Sequence, residues 1–237
     1  MELLLTVDAC KQDKAKRVTA VIPLFPYSRQ DKRLTTGTPM SAELMSKLMA
    51  AAGIDQVITI DLHSKIVENY FSDIVNLKAE PVFIDWIGTN ICGLQDCVIV
   101  SPDGGGASRV RDLAEKMNLD FSVFQKKRIV ANEVESMTFS DPDKVRGRVA
   151  VLIDDMIDTC GTLVLAVRKL KEAGATKVYA IATHGIFSGQ AIERIDNSED
   201  LDLVVVTNTI PKLESCEKIR WIDVSPLFAQ AIIEASA

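Results

Sequence analysis

Short apolar runs rich in β-branched residues alternate with stretches of helical periodicity along almost the whole chain, and this alternation restricts the fold more than any other feature. The apolar runs, which read as strands, are residues 17–25, 56–63, 97–106 (ending in a glycine turn), 147–156, 177–185, 202–210 and 218–226. Helical spacing of apolar residues occupies 1–12, 41–53, 107–118 and 161–175. Strands that alternate with helices pair in parallel through right-handed crossovers. The sequence therefore predicts an α/β protein with mostly parallel sheets.

The chain of 237 residues is long enough for one large or two small domains. Residues 67–87 are predicted to connect two sheet units, with a boundary near Glu80 and Pro81. This boundary gives an amino-terminal domain at 1–80 and a second domain at 81–237. Only two predicted strands precede it, which is few for a domain that buries its own core. Either another subunit completes the first sheet or the chain is a fragment.

Composition argues against several classes of protein. The net charge of −6 disfavours a nucleic-acid-binding surface. The longest apolar runs, such as LVVV at 203–206, are far shorter than the roughly 20 residues that span a bilayer, so no membrane partner is expected. Five scattered cysteines without a C-x-x-C pair disfavour zinc and disulfide frameworks, and the first residues do not resemble a signal peptide. We therefore expect a cytoplasmic protein.

Three of the predicted strands end in acidic side chains. Asp61 follows the second strand together with His63, Asp103 follows the third, and Asp154 and Asp155 stand side by side at the end of the fourth. Ligands of open α/β sheets bind outside the carboxyl ends of the strands. The alternative is that each acid caps a loop and the helix that follows it. Three such strands in one chain, one of them with paired acids, favour a binding site.

The segment LIDDMIDTCGTL (152–163) joins the paired acids to a turn rich in hydroxyl groups. The carboxylates of Asp154 and Asp155 repel each other, and only a cation or a hydroxyl donor relieves that repulsion. Sugar hydroxyls and a hydrated Mg²⁺ are both suitable partners. The pair therefore predicts a site that binds one or both of them.

The turn DTCGT (158–162) leads directly into a predicted helix. The free backbone N–H groups of a helix start, together with the hydroxyls of Thr159 and Thr162, can wrap an anion with help from the helix dipole. Acids for a diol beside donors for a phosphate are what a ribose phosphate requires. Asp158 either orients the loop or acts as a base, and spacing alone does not decide between the two roles.

This segment resembles the phosphoribosyl-pyrophosphate binding motif of type I phosphoribosyltransferase folds. Five further segments, in the same order, resemble the ribose-phosphate pyrophosphokinase family: VIPLFPYSRQDK (21–32), DLHS (61–64), VSPDGGG (100–106), KRIVANEV (127–134) and ATHGIFS (182–188). The resemblance is collinear over nearly the whole chain. It implies two phosphoribosyltransferase-like parallel-sheet domains. The first would be incomplete, because the family's amino-terminal portion and its final segment are expected to be missing here.

The resemblance also implies a reaction. The family transfers the diphosphoryl group of ATP to the 1-hydroxyl of ribose 5-phosphate, giving phosphoribosyl pyrophosphate and AMP, with Mg²⁺ as cofactor. A homo-oligomer, or a hetero-oligomer with related subunits, is expected by the same likeness. By similarity, Asp154 and Asp155 would hold the ribose hydroxyls. The 5-phosphate would be held by Asp158, Thr159, Cys160, Gly161 and Thr162.

Two residues are implied as magnesium ligands by the family likeness. Asp103 offers the oxygen that a hard cation prefers. His63 is an unusual ligand for Mg²⁺, and its assignment depends on the resemblance alone; the alternative is a hydrogen-bonded histidine at the end of a strand. His184 has no matching metal role, and we expect it to be structural.

The segment YSRQDK (27–32) is implied to contact ATP through Arg29 and Gln30. Two aromatic residues precede them, Phe25 and Tyr27. These rings either pack near the nucleotide or belong to the core, which is the more common place for an aromatic residue beside a proline.

The basic cluster QKKR (125–128) is implied to lie on a mobile catalytic loop, with Lys126 and Arg128 as the catalytic residues. Displacement at the β-phosphorus spreads negative charge over the transferring oxygens, and fixed cations stabilise that charge. Lys127 is a neighbour whose register competes with that of Lys126. The alternative is a cluster that is simply solvated.

Three functions are compatible with these features. The leading hypothesis is a ribose-phosphate diphosphokinase. The second is a non-catalytic associated or regulatory subunit of the same assembly, which the expected truncation would explain. The third is a phosphoribosyltransferase that consumes the same product; it would share residues 152–163 but would not be expected to carry FPYSRQDK or DLHS.

Overall fold

A computed structural model of the chain describes residues 1–33, 35–91, 93–130, 133–139, 141–211 and 216–236, and the description includes the side chains except those at 94, 126–130, 133–137 and 139. The chain divides into two compact units. The first comprises Met1–Ala79 and Val224–Ala237, and the second comprises Glu80–Asp223.

The elements are numbered in chain order. The helices are α1 (Glu2–Gln12), α2 (Ser41–Ala52), α3 (Glu80–Asn90), α4 (Ala107–Met117), α5 (Gly161–Glu172), α6 (Ala191–Asp196) and α7 (Ser225–Ser236). The strands are β1 (Thr19–Val21), β2 (Gln56–Ile60), β3 (Ile74–Leu77), β4 (Cys97–Ser101), β5 (Asp120–Val130), β6 (Glu133–Phe139), β7 (Val149–Ile157), β8 (Lys177–Gly185), β9 (Leu203–Thr207) and β10 (Ile219–Ile222). Short 3₁₀ turns lie at Lys65–Tyr70, Leu94–Asp96 and Pro142–Lys144.

The first unit is built on a three-stranded parallel sheet in the order β1-β2-β3. Every residue of the central strand β2 is buried, as is typical of a parallel strand covered on both faces. Phe25 and Met49 belong to the core beside this sheet, and Phe25 packs edge-on against Phe71 with ring centroids 5.5 Å apart. Helix α2 ends where it was predicted to end, because Gly53 adopts the left-handed conformation that closes it.

The first unit contains more structure than the sequence predicted. Residues 67–87, expected to be a connection, contain β3 and most of α3, so three strands and not two precede the predicted boundary. The four residues of β3 are all only half-buried, so no alternation of apolar and polar residues marks the strand. The side chain of Asn76 in β3 accepts a hydrogen bond from the Leu62 N–H at 3.2 Å, which ties the strand to the loop after β2.

The last helix also differs from the sequence-based division of the chain. Residues 224–237, which were predicted to continue the second domain, group with the first unit, because α7 contacts β2 and β3. Its sequence, SPLFAQAIIEAS, is largely apolar. Such a helix could pack on either sheet, so the sequence of the helix alone does not predict which sheet it contacts.

The second unit is built on a seven-stranded sheet in the order β10-β9-β8-β7-β4-β5-β6. All neighbours pair in parallel except β5 and β6, which form an antiparallel pair. The core runs along β4, β7, β8 and β9, and includes buried residues of α5 and α6. The predicted α/β fold with two parallel-sheet units is confirmed. In the described part of the chain, none of the helices is both long enough and apolar enough to cross a membrane.

Arg148 joins several segments where β7 begins. Its guanidinium donates to the carbonyl of Cys97 at 2.6 Å and to the carboxylate of Asp120 at 2.7 Å. It also donates to the carbonyls of Gln95 and Lys144, each at 3.3 Å. The side chain is only 20% exposed, so these bonds compete little with water and connect the starts of β4, β5 and β7.

We expect Arg148→Ala to lower the free energy of unfolding of the second unit by about 2 kcal/mol, because several partly buried acceptors lose their donor. Both tryptophans, Trp86 and Trp221, lie in this unit. Urea unfolding followed by tryptophan fluorescence therefore reports the change directly.

Arg146→Ala is the matched control, because the Arg146 side chain is 75% exposed and pairs only loosely, at 3.8 Å, with Asp143. A loss as large as that of Arg148→Ala would contradict the role of Arg148. The hydrogen bond from Arg148 lowers the pKa of Asp120. A carboxylate with a lowered pKa stabilises the folded protein above its ordinary pKa, and this stabilisation is lost as the pH falls. The difference in free energy of unfolding between wild type and Arg148→Ala should therefore narrow below about pH 4.

Candidate functional site

The carboxyl ends of β4 and β7 form the part of the second sheet where a ligand site is expected. These strands are adjacent and parallel, and the chain continues from β4 to one side of the sheet and from β7 to the other. Such a reversal of strand order opens a crevice at the carboxyl ends of the strands. Asp103 follows β4, and Asp154 and Asp155 lie near the end of β7. The acids that the sequence placed on these two strands thus share one edge of the sheet.

The two adjacent acids of β7 lie in different surroundings, because successive side chains of a strand point to opposite faces. Asp155 is 5% exposed, whereas Asp154 is half-buried. The N–H of Asp155 donates to Oδ1 of Asp154 at 2.9 Å. Nη1 of Arg109, in the first turn of α4, lies 3.6 Å from Oδ1 of Asp155. Arg109 therefore offsets part of the charge of the acid pair.

Arg109 was not among the residues predicted from the sequence. It lies two residues after the start of α4, within the helix that follows the glycine turn. Its pairing with Asp155 depends on the packing of α4 against the sheet. The order of residues along the chain carries no signal for that contact.

The pKa of Asp154 is raised from its ordinary value of 3.8. Burial is the main cause, followed by repulsion from the neighbouring carboxylate of Asp155, and Asp103 adds to that repulsion. A raised pKa means that the ionised form is costly in the ligand-free protein. A cation or a hydroxyl donor placed at these acids would lower that cost.

The turn at residues 158–162 is accessible where an anion would meet it. Thr159 and Gly161 are exposed, whereas Cys160 is buried and adopts a left-handed φ of 63°. The thiol of Cys160 donates to the carbonyl of Asp158 at 3.8 Å and does not cap α5. Cys160, the N-cap residue of α5, therefore places no side-chain oxygen at the positive end of the helix dipole, where an oxygen would compete with an anion.

Two neighbouring segments hold the backbone of this turn. The carbonyl of Ile157, which precedes the turn, accepts the N–H groups of Ile186 and Phe187 at 2.8 and 3.2 Å. The carbonyl of Thr159 accepts a hydrogen bond from Nη1 of Arg194, on α6, at 2.6 Å. The segment ATHGIFS was expected to matter from its resemblance, but Arg194 was not identified, because it is remote in sequence from the turn.

Burial raises the pKa of the Cys160 thiol to about 12, and the positive charge of Arg194 opposes this effect only in part. The thiol is therefore protonated at neutral pH and is not a nucleophile. What Cys160 can offer a ligand is its backbone N–H.

Asp61 and Asp103 both have the capping role that was left open as the alternative. Oδ1 of Asp103 accepts the N–H groups of Gly105 and Gly106 at 2.9 and 3.3 Å, ahead of α4. Oδ2 of Asp61 accepts the N–H of Ala79 at 3.1 Å, ahead of α3. The other oxygen of Asp61, Oδ1, lies 3.7 Å from Nζ of Lys78.

Three of the predicted site residues lie in the first unit. His63 is exposed in the bend after β2, and Arg29 and Gln30 are exposed in the segment between β1 and α2. The side chain of Gln30 accepts a hydrogen bond from the hydroxyl of Ser41, the first residue of α2. Gln30 is therefore held in place by the start of α2.

The two aromatic residues that precede Arg29 have different environments. Phe25 is 2% exposed and belongs to the core, which decides the open alternative in favour of packing. Tyr27 is 58% exposed and has a left-handed φ of 59°.

The predicted catalytic residues Lys126 and Arg128 lie on β5, but their side chains are outside the described part of the structure. The backbone differs from the predicted mobile loop, because it pairs with β6 in an antiparallel arrangement, with Lys126 opposite Met137 and Arg128 opposite Val134. Two register shifts interrupt the pairing after Lys127 and after Arg128. The β-branched and aromatic residues of FSVF and VESMTF give both segments strand propensity.

His184 is 2% exposed and its Nδ1 lies 2.9 Å from Oγ1 of Thr209, a buried hydrogen bond of the kind expected for a structural histidine. Within the described residues, no three His, Cys, Asp or Glu side chains are grouped closely enough to hold a metal ion. A magnesium ion at Asp103 would therefore take most of its ligands from phosphate oxygens and water, which is the usual pattern for Mg²⁺.

Comparison with protein families identifies the two ends of the chain separately. Residues 1–53 match the N-terminal domain of ribose phosphate pyrophosphokinase, and residues 127–235 match the phosphoribosyl synthetase-associated domain. Among solved structures, the phosphoribosylpyrophosphate synthetase from Mycobacterium smegmatis is 33% identical, with a TM-score of 0.92 over 99% of this chain and 76% of that one.

Two more distant structures also match part of the chain. The adenine phosphoribosyl transferase from Trypanosoma brucei is 19% identical, with a TM-score of 0.44, over 64% of this chain and 74% of that one. The purine phosphoribosyltransferase from Pyrococcus horikoshii is 13% identical, with a TM-score of 0.39, over 71% and 87%. Both likenesses are too weak to extend the comparison. The match with the Mycobacterium smegmatis protein is sufficient: the chain belongs to the phosphoribosylpyrophosphate synthetase (ribose-phosphate pyrophosphokinase) family and has its fold of two phosphoribosyltransferase-like units.

Proposed function

We propose that this chain is a ribose-phosphate diphosphokinase, which transfers the diphosphoryl group of ATP to the 1-hydroxyl of ribose 5-phosphate and releases AMP. Beside the family membership, one observation carries the proposal. The repelling acids of β7 are followed, three residues after Asp155, by an exposed turn at the positive end of α5. A ligand with a diol at one end and a phosphate at the other satisfies both features.

Ribose 5-phosphate would lie along the end of β7. Asp154 and Asp155 would accept hydrogen bonds from the ribose hydroxyls, which would offset both the burial and the repulsion from Asp155 that raise the pKa of Asp154. The 5-phosphate would be held by Thr159, Cys160, Gly161 and Thr162, and Asp158 would belong to the same substrate-binding turn without contacting the phosphate. Thr159 and Thr162 would donate hydroxyls, and Cys160 would donate its backbone N–H.

ATP would be contacted by Arg29 and Gln30. By family likeness, Asp103 and His63 would each serve as a magnesium ligand. Asp103 is a hard oxygen donor beside the acid pair, which suits a divalent cation. When bound, Mg²⁺ neutralises phosphate charge and orients the diphosphoryl group. The assignment of His63 has the weaker chemical basis, because a nitrogen ligand is unusual for this ion.

Lys126 and Arg128 would supply the fixed positive charge that the transferring oxygens need as negative charge develops on them. Attack by the 1-hydroxyl also requires removal of its proton. Asp158 would either accept that proton or orient the loop, and the two roles are distinguished by whether Asp158→Asn lowers kcat or only the affinity for ribose 5-phosphate.

The setting of the enzyme is proposed on similar grounds. Cys10, Cys97, Cys160 and Cys216 are all free thiols, which suits a reducing cytoplasm. By family likeness, the chain would assemble as a homo-oligomer or with related subunits. A domain boundary near Glu80 remains our proposal for how the chain is organised.

The proposal is tested by measuring AMP release from ATP with ribose 5-phosphate and Mg²⁺. Release that requires all three components is expected. Tight binding of ribose 5-phosphate without AMP release would favour a non-catalytic associated subunit. Consumption of phosphoribosyl pyrophosphate on addition of free bases, without AMP release from ATP, would instead indicate a phosphoribosyltransferase.

We expect Lys126→Ala to lower kcat by about 10²–10³, because one transition-state cation is lost, while the KM for each substrate changes little. Lys127→Ala is the matched control, with the same charge change one residue away. If Lys127→Ala causes the loss and Lys126→Ala does not, the register of this assignment is wrong. A loss confined to KM would contradict a role in the transition state.

We expect Asp154→Asn to stabilise the ligand-free protein and to weaken ribose 5-phosphate binding. A pKa raised above 3.8 removes stability as pH increases beyond that value. The neutral variant should therefore gain about 1 kcal/mol over wild type near neutral pH, or roughly 2–4 °C in Tm, and nothing at low pH. Loss of a charged acceptor should weaken binding about tenfold or more.

Thermal unfolding followed by tryptophan fluorescence and titration calorimetry with ribose 5-phosphate measure the two effects. Asp143→Asn is the control, because the Asp143 side chain is 90% exposed and is remote in sequence from the site. An Asp154→Asn protein that is no more stable than wild type at neutral pH would show that the acid pair is not a source of repulsion.

A further inference from the structure

Arg194, on α6, donates a hydrogen bond to the backbone of the proposed phosphate turn at residues 158–162. The residue lies on α6, 35 positions along the chain from Thr159, and its Nη1 donates to the carbonyl of Thr159 at 2.6 Å. Its Nη2 lies 3.4 Å from Oε1 of Gln190, at the start of the same helix. Nη1 also approaches Gly161 closely, since a Cβ at that position would lie 3.6 Å from it. The guanidinium of Arg194 therefore contacts both the start of α6 and the turn.

The direction of one carbonyl fixes the direction of the next N–H. A trans peptide is planar, so its C=O and N–H bonds point to opposite sides. The carbonyl of Thr159 points towards Arg194, and the N–H of Cys160, which belongs to the same peptide, must point away from α6. Cys160 has the left-handed φ of 63°, so this peptide is not held by an ordinary helical conformation and depends on external contacts.

Two other carbonyls near this peptide accept backbone N–H groups, and that of Asp158 accepts a hydrogen bond from the Cys160 thiol at 3.8 Å. The carbonyl of Ile157 accepts the N–H groups of Ile186 and Phe187, and the carbonyl of Cys160 accepts the N–H of Val164 at 3.0 Å. An anion is repelled by carbonyl oxygens and attracted by N–H groups. A turn whose carbonyls are turned towards protein donors can present N–H groups to a phosphate.

We propose that Arg194 is a positioning residue for the phosphate turn: it holds the peptide between Thr159 and Cys160 with the N–H directed to the side opposite α6, where the 5-phosphate binds. The inference rests on the proposed function, because it assigns the turn to the phosphate of ribose 5-phosphate. Arg194 acts through the peptide and not by touching the substrate. The exposed position of Arg194 sets the size of the effect, since water can replace part of the hydrogen bond.

The test compares Arg194→Gln, Arg194→Lys and Arg168→Gln with wild type. Arg168 lines the same surface groove as Arg194, and both are exposed, so Arg168→Gln makes the same change of charge nearby. Titration calorimetry gives the Kd of ribose 5-phosphate, steady-state kinetics give the KM of each substrate, and tryptophan fluorescence gives Tm.

Arg194→Gln should raise the Kd and the KM of ribose 5-phosphate about tenfold, or ~1.4 kcal/mol, and leave the KM of ATP unchanged. Arg194→Lys should recover part of the affinity, because an ammonium group can donate to the Thr159 carbonyl. Arg168→Gln should bind ribose 5-phosphate like wild type. Tm should change little in all three variants.

Each other outcome overturns the inference. An equal loss in Arg168→Gln would mean that only the general positive charge matters. A parallel rise in the KM of ATP with a fall in Tm would mean that Arg194 merely stabilises the unit. If wild type binds ribose 5-phosphate and Arg194→Gln binds it equally well, the inference fails and the proposed function stands. If wild type does not bind ribose 5-phosphate, both fail.

Discussion

Repulsion between the carboxylates at the ends of β4 and β7 is the interaction on which the rest of the second unit's site depends. Asp154 is held beside Asp155 and near Asp103, and burial makes its charge more costly. A fold that served stability alone would not retain such a group. Arg109 offsets part of the charge of Asp155, and under the proposed function the remaining cost would be relieved by the hydroxyl groups of ribose or by a cation.

The position of β7 in the sheet explains how this repulsion is put to use. β7 pairs in parallel with β4 as far as Leu152 and with β8 as far as Ile157, so β8 supports the backbone of β7 to its end. The turn that follows shares that support, because the segment after β8 holds the carbonyl of Ile157. The acid pair and the turn at residues 158–162 thus share one support, and the end of β7 sets the distance between them. Pre-organised donors of this kind lower the cost of ordering a ligand.

The sequence predicted those parts of the structure that depend on neighbouring residues. Local residue pattern and turn chemistry predict the strand 177–185, the helix after the acid pair and the end of α2 at Gly53. It did not predict β3, because a half-buried four-residue strand has no periodicity to detect. It also missed Arg109 and Arg194, whose partners are fixed by tertiary packing. The strand pairing of the basic segment was missed because the family likeness implied a loop there.

The left-handed, buried Cys160 has a consequence for chemical durability. An accessible thiol in the turn at residues 158–162 would be open to oxidation, since oxidants attack accessible thiolates. Here the sulfur faces the protein interior and keeps its proton, whereas Cys10 is exposed at the surface of the first unit. Oxidants would therefore modify the exposed Cys10 before Cys160, and the cysteine in the turn would be spared.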